Sequence, residues 1–221
     1  MNLQQPKLIV FDWDGTLMDS EAHIVACLRG AVAVAGAPQR SEAQLRDVIG
    51  LGLAEAIEAL FPGHDRNFQQ VLADGYRRQF LSDMYPRSEF FDGVPEMLAF
   101  LRARGYRLAV ATGKGRRGLD HVLQQTGVAG LFEVTRCADE TRSKPHPMML
   151  QQLMASAGVS VDDTLLVGDT EYDLEMAANC GVSSIGVSCG VHSRERLLAH
   201  QPLAILEMVT QIVAYLDNLS E

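Results

Sequence analysis

The sequence predicts an α/β fold, with a parallel sheet flanked by helices and a helical insert directly after the first strand. Three observations predict it. Short continuous apolar runs recur along the chain, the pattern of strands buried on both faces. Between them, apolar residues fall at helical spacing. One long segment near the amino end breaks the alternation and carries helical patterns alone.

The first run, Leu8-Ile9-Val10-Phe11, stops abruptly at acidic residues and a glycine. Further strands are read at Tyr106 to Ala111, Leu131 to Val134, Thr164 to Val167 and Ser184 to Val187, with a shorter one at Leu203 to Leu206. Helices follow from the spacing of Val94, Met97, Leu98 and Leu101, of Leu119, Val122 and Leu123, and of Leu150, Leu153 and Met154. Gly105, Gly127 and Gly158 are their expected stops, and a last amphipathic helix begins near Glu207. The insert spans 19–86, with helices around Ile24 to Ala35, Leu53 to Phe61 and Phe68 to Phe80, leaving 1–18 and 87–221 as the core domain. An insert so placed stands above the carboxyl edge of the sheet, where open α/β folds bind ligands, and is expected to act as a lid.

Composition sets outer bounds. With 221 residues, 47% hydrophobic and 21% charged, the chain has the balance of an ordinary globular protein. A formal charge of -9 without clustered Lys and Arg argues against a nucleic-acid partner. An acidic chain can still hold an anion where a metal ion and backbone amides are concentrated. Cys27, Cys137, Cys180 and Cys189 form neither a C-x-x-C pair nor a zinc-spaced cluster. Met1 to Lys7 lacks the apolar run of a signal peptide, and no segment offers the about 20 apolar residues of a membrane span. A reducing cytoplasm, no membrane partner, and a monomer or homodimer are expected.

The chemistry concentrates at strand ends. Asp12-Trp13-Asp14 places two carboxylates where a buried strand finishes; their mutual repulsion calls for a cation, for which Mg²⁺ suits the oxygen ligands. Gly15 and Thr16 let the chain turn and expose amides. Asp169 and Asp173 follow the strand before Gly168 and share one face of the next helix. Ala111-Thr112-Gly113-Lys114 supplies a hydroxyl and a flexible glycine for an anion cradle. Ser143-Lys144-Pro145-His146-Pro147 fixes a lysine in a rigid loop.

These four pieces, in this order and over nearly the whole chain, resemble the haloacid dehalogenase-like hydrolase superfamily, specifically its phosphatases with a helical cap after the first strand. The resemblance implies a Rossmann-like core and a small-molecule phosphate monoester as substrate, hydrolysed through an aspartyl phosphate. It implies Asp12 as nucleophile, Asp14 as general acid then base, Thr112 and Gly113 as phosphate ligands and Lys144 as charge stabiliser. Asp12, Asp14 and Asp169 would bind Mg²⁺, with Asp173 in support. Dehalogenases of the superfamily lack an acid two residues after the nucleophile, so Asp14 favours phosphoryl transfer. Phe91-Asp92-Gly93, Cys137-Ala138-Asp139-Glu140-Thr141 and Gly168-Asp169-Thr170 look most like the phosphoglycolate phosphatase branch.

An isolated pair of acids at a strand end is usually a solvated turn, and here it is the agreement of three strand ends and a lysine that weighs against that reading. Asp173 as a helix-surface acid and Gly113 as a turn glycine are the plainer alternatives. His146 and His192 read as loop residues, Trp13 as a packing residue, and Arg46, Arg77 and Arg78 as surface charges. Ile49-Gly50-Leu51-Gly52-Leu53 is a specificity loop or simple turn chemistry. An inorganic pyrophosphatase and a sugar-phosphate mutase would share the same core residues. A receiver-type signalling module would not need Asp14 or a lid.

Overall fold

The computed structural model describes residues 5–82 and 88–219; the expected second boundary of the insert, between 86 and 87, lies outside the described residues. Its elements in chain order are β1 (Leu8–Phe11), β2 (Met18–Asp19), α1 (Glu21–Val34), α2 (Glu42–Asp47), α3 (Leu53–Leu60), α4 (Arg66–Phe80) and β3 (Glu89–Phe90). There follow α5 (Val94–Ala103), β4 (Arg107–Thr112), α6 (Arg116–Thr126), β5 (Val134–Cys137), α7 (Met148–Ala157) and β6 (Thr164–Gly168). The chain closes with α8 (Glu171–Cys180), β7 (Ser183–Val187), α9 (Arg194–Leu198), β8 (Ala204–Leu206) and α10 (Ile212–Asn218).

Six strands form one parallel sheet in the order β5-β4-β1-β6-β7-β8. Every residue of β1 is buried, because its alternate side chains enter two different cores. Ile9 and Phe11 join Leu108, Val110, Leu165 and Val167 on one face; Leu8 and Val10 join Ala109, Ala111 and Leu166 on the other. That explains why the strands read as continuous apolar runs. The chain leaves β1 toward β4 and β5 on one side and returns to β6, β7 and β8 on the other. The carboxyl end of β1 is therefore the switch point of the sheet, where a crevice opens for ligands.

The insert packs α1 to α4 around its own core, with Leu28, Leu45, Ile57 and Phe61 at the centre. α2 escapes apolar-pattern reading because only Leu45 of its six residues is buried, yet Ser41 and Gln44 form a capping box that marks its start. At the junction, β2 and β3 pair antiparallel, Met18 opposite Phe90 and Asp19 opposite Glu89.

One strand lies elsewhere than expected. The apolar stretch from Leu131 is a short 3-10 turn, Ala129–Leu131, and β5 begins only at Val134. Leu131 and Phe132 are apolar because they pack on the core from outside the sheet. The last helix likewise starts at Ile212, later than Glu207 suggests. Gly127 and Gly158 terminate α6 and α7 at φ 72° and 62°, the left-handed caps that glycine adopts without strain.

Candidate active site

Parallel pairing brings three strand ends level. Phe11 is in register with Val110 on β4 and Val167 on β6, so Asp12 emerges between Thr112 and Asp169. Asp12, Thr112, Lys144, Asp169 and Asp173 are all essentially buried. The Lys144 ammonium donates to Asp12 Oδ1 at 2.5 Å and to Asp173 Oδ1 at 2.6 Å. Asp173 is thus no surface acid. Its other oxygen accepts from the Thr170 hydroxyl at 2.7 Å and from the Thr170 amide at 3.2 Å.

Asp169 accepts from the Thr16 hydroxyl at 2.8 Å and the Val191 amide at 2.9 Å. Gly15 and Gly190 close over it so tightly that a Cβ on either would overlap its carboxylate. Gly15, at φ 79°, also turns the chain after β1. Oxygens of Asp12, Asp169 and Asp173 lie within 4.8 Å of one another, a cluster able to hold a metal ion. Three buried carboxylates face one ammonium. Burial foremost, opposed by Lys144 and reinforced by Asp173, Asp169 and Asp14, raises the Asp12 pKa well above the usual carboxylate value. Burial and then Asp173 push Asp169 up to about 7, against the pull of the Val191 amide and the Thr16 hydroxyl. Burial works against the charge of Lys144, but Asp12 and Asp173 outweigh it and its pKa is raised.

Asp14 stands apart from this cluster. Its Oδ1 accepts from Ser20 at 2.5 Å and pairs with the Lys114 ammonium at 2.9 Å. The chain turns between the two acids, so the Asp14 carboxylate finds its own cation and lies outside the carboxylate cluster of Asp12, Asp169 and Asp173. Two carboxylates two residues apart thus sit in different electrostatic settings.

Thr112 Oγ1 accepts the Lys114 amide at 3.2 Å, which leaves the hydroxyl hydrogen to donate elsewhere. At Gly113 a Cβ would overlap the carbonyls of Gly50 and Leu51, so the glycine is what lets the insert loop approach the sheet edge. The same loop is tied down by the Gly52 amide donating to Ser143 Oγ at 2.7 Å. Tyr172 and Arg196 of the core both reach Asp47 of the insert, at 2.8 Å and 2.5 Å. Between insert and sheet edge lies a cavity of about 260 Å³, bounded by Asp14, Gly113 and Lys114 below and by Ile24, Leu51 and Phe80 above.

Several residues here lie outside the set read from the sequence: Thr16, Ser20, Lys114, Thr170 and Gly190. Thr16 and Lys114 belonged to the motifs themselves; Gly190 offered no signal, since its role is to leave room for Asp169. His146 Nδ1 accepts the Met148 amide at the start of α7, and buried His192 accepts the Glu171 amide. Trp13 packs against Phe90 and Phe132, and Arg46 and Arg77 pair with Glu21 and Asp74.

A family comparison decides the assignment: residues 9–187 match the model of the haloacid dehalogenase-like hydrolase family. The chain belongs to that family. The Dickeya dadantii protein named Probable phosphatase IndB is 33% identical over 211 residues, covering 93% of this chain and 91% of its own length. A phosphoglycolate phosphatase of Vibrio vulnificus is 31% identical over 222 residues, covering 96% and 97%. The crystal structure of a predicted phosphatase from Clostridium acetobutylicum superposes with a TM-score of 0.87 at 24% identity, covering 97% of this chain and all of that one. The protein is a phosphatase of the haloacid dehalogenase-like family, a phosphoric monoester hydrolase.

Proposed function

We propose that the protein is a magnesium-dependent phosphatase that hydrolyses a small-molecule phosphate monoester through a phosphoaspartate on Asp12. One observation carries the reading: Asp12 Oδ2 is buried at the switch point without a hydrogen-bond partner, while its Oδ1 is fixed by Lys144. A buried carboxylate oxygen with no donor is costly unless a cation or an electrophile meets it.

The residues fit a divalent metal. Asp12 through its unpartnered oxygen and Asp169 would hold it, and the charge deficit of three carboxylates against one ammonium matches one divalent ion. Asp173 is occupied by Lys144 and Thr170 and acts by positioning the lysine. When bound, Mg²⁺ offsets the negative charge of the phosphoryl oxygens and of the attacking carboxylate.

In the first half-reaction an Asp12 oxygen forms a bond to phosphorus in line with the departing oxygen, and Asp14 delivers a proton to that leaving group. In the second, Asp14 takes a proton from water, the hydroxide bonds to phosphorus, and the Asp12 carboxylate departs. Lys144 stabilises the charge, and the Thr112 hydroxyl and amides near Gly113 receive the phosphate oxygens. The insert covers the crevice and excludes competing water.

Among the described residues no helix is long and apolar enough to cross a membrane. The four cysteines are unpaired, which fits a reducing cytoplasm. The name of the Vibrio vulnificus relative makes phosphoglycolate the first ester to assay. A phosphate-release screen over phosphoglycolate, pyrophosphate, sugar phosphates and nucleotides tests the reading. Release from a monoester, lost in EDTA and restored by Mg²⁺, supports it; metal-independent release, or preference for pyrophosphate, contradicts it.

A further inference from the structure

The cavity above Asp14 differs from what a two-carbon acid requires. Its walls are dominated by Ile24, Leu28, Leu51, Leu53, Tyr76 and Phe80. About 260 Å³ is many times the about 10–15 Å³ that one water needs, and the phosphoryl group shares it, because Asp14 and Gly113 line it too. Glycolate has five non-hydrogen atoms. The charges on the wall also give no net attraction for a second anion: Asp14, Glu55 and Asp139 match Lys114, Arg77 and Arg117. Of these cations, Lys114 is engaged by Asp14 and Arg77 by Asp74, which leaves Arg117 as the one lining cation without an ion pair among the described residues.

One position keeps the space open. Gly118, in the first turn of α6, lines the cavity, and a Cβ there would meet only Phe80 at 3.8 Å and Lys114 at 4.0 Å, ordinary contact distances. Its backbone is helical, so glycine is not needed for conformation. A longer side chain at this position would extend into the cavity rather than into the protein.

We propose that the substrate's leaving group is larger than glycolate and predominantly apolar, and that Gly118 sets the size limit. This inference rests on the phosphatase reading and names the substrate class of the same site. Apolar walls bind such a group by removing its surface from water, and a filled cavity also excludes the water that would compete in the first half-reaction.

The test compares kcat/KM for benzyl phosphate, glucose 6-phosphate and phosphoglycolate, with Mg²⁺, in the wild-type protein and in Gly118→Leu and Gly118→Ala. Wild type is expected to favour benzyl phosphate over phosphoglycolate by about tenfold or more. Gly118→Leu is expected to erase that preference by lowering the benzyl value at least about tenfold more than the phosphoglycolate value, with Gly118→Ala in between. Circular dichroism confirms that the variants fold, and Gly118→Ala decides the matter if Gly118→Leu does not. Preference for phosphoglycolate or glucose 6-phosphate in the wild type, or equal loss for all esters in the variants, would overturn the inference while leaving the phosphatase reading intact. Hydrolysis of none of them would overturn both.

Discussion

Lys144 and Asp12 meet at 2.5 Å with both side chains essentially removed from solvent, joining the loop after β5 to the end of β1. The same ammonium also donates to Asp173 at 2.6 Å, so one cation answers two buried carboxylates. Lys144→Met would leave the buried carboxylates uncompensated, and breaking such a pair costs about 3 to 5 kcal/mol. Urea unfolding in EDTA is expected to show that loss, and an assay with Mg²⁺ a loss of activity. A variant as stable as the wild type would show that the pair contributes nothing net to the fold.

The same charge crowding gives the metal-free protein a pH signature. Asp169 is held up to about 7 in the folded state, against an ordinary value of 3.8 in the unfolded chain. Between these values the folded state keeps a proton that the unfolded state has lost, so stability falls as pH rises from about 4 to about 7, by up to about 1.4 kcal/mol per pH unit for one group. Glu133, Glu140 and Glu171, whose pKa values are lowered foremost by hydrogen bonds from Arg107, Arg116 and Arg196, act from 4.5 downward, while His192, lowered from 6.5 foremost by burial, opposes the slope inside the window. Denaturation in EDTA across this range checks the sign, and saturating Mg²⁺ is expected to flatten the slope because a metal-bound carboxylate releases its proton. Stability that rises with pH in EDTA would refute it.

Lys114 holds Asp14 at 2.9 Å and lies over the Phe80 ring at 4.4 Å, so it positions the acid and joins the core to the insert. Lys114→Met is expected to lower kcat by about 10- to 100-fold, the cost of a misplaced catalytic group. In Asp14→Asn the same change should cost far less, because the partner it positions is already gone. Additive losses would place the function of Lys114 elsewhere.

How much of this site the sequence exposes depends on the range of the interaction. Asp12, Thr112 and Asp169 were readable because each ends an apolar run that the doubly buried sheet requires, and Lys144 because prolines frame its loop. Leu131 and Phe132 misled for the same reason: apolar character reports burial, and a 3-10 turn on the core buries as well as a strand. The separation of Asp14 from Asp12 depends on Lys114 and Ser20, and the tolerance of Gly113 for Leu51 on how the insert lies over the sheet. Those are relations through space, and residue spacing along one chain does not encode them.

Covalent chemistry at Asp12 underlies every step of the proposed reaction. The most direct measurement uses Asp14→Asn, in which the second half-reaction lacks its base, mixed with a hydrolysable phosphate ester and Mg²⁺ and quenched in acid. Peptide mass spectrometry is expected to find a phosphoryl group on the peptide from β1, on Asp12, and to find none in Asp12→Asn, which should also lose about a thousandfold or more in turnover. A phosphoryl group on another residue, or an Asp12→Asn variant that still turns over, would contradict the account.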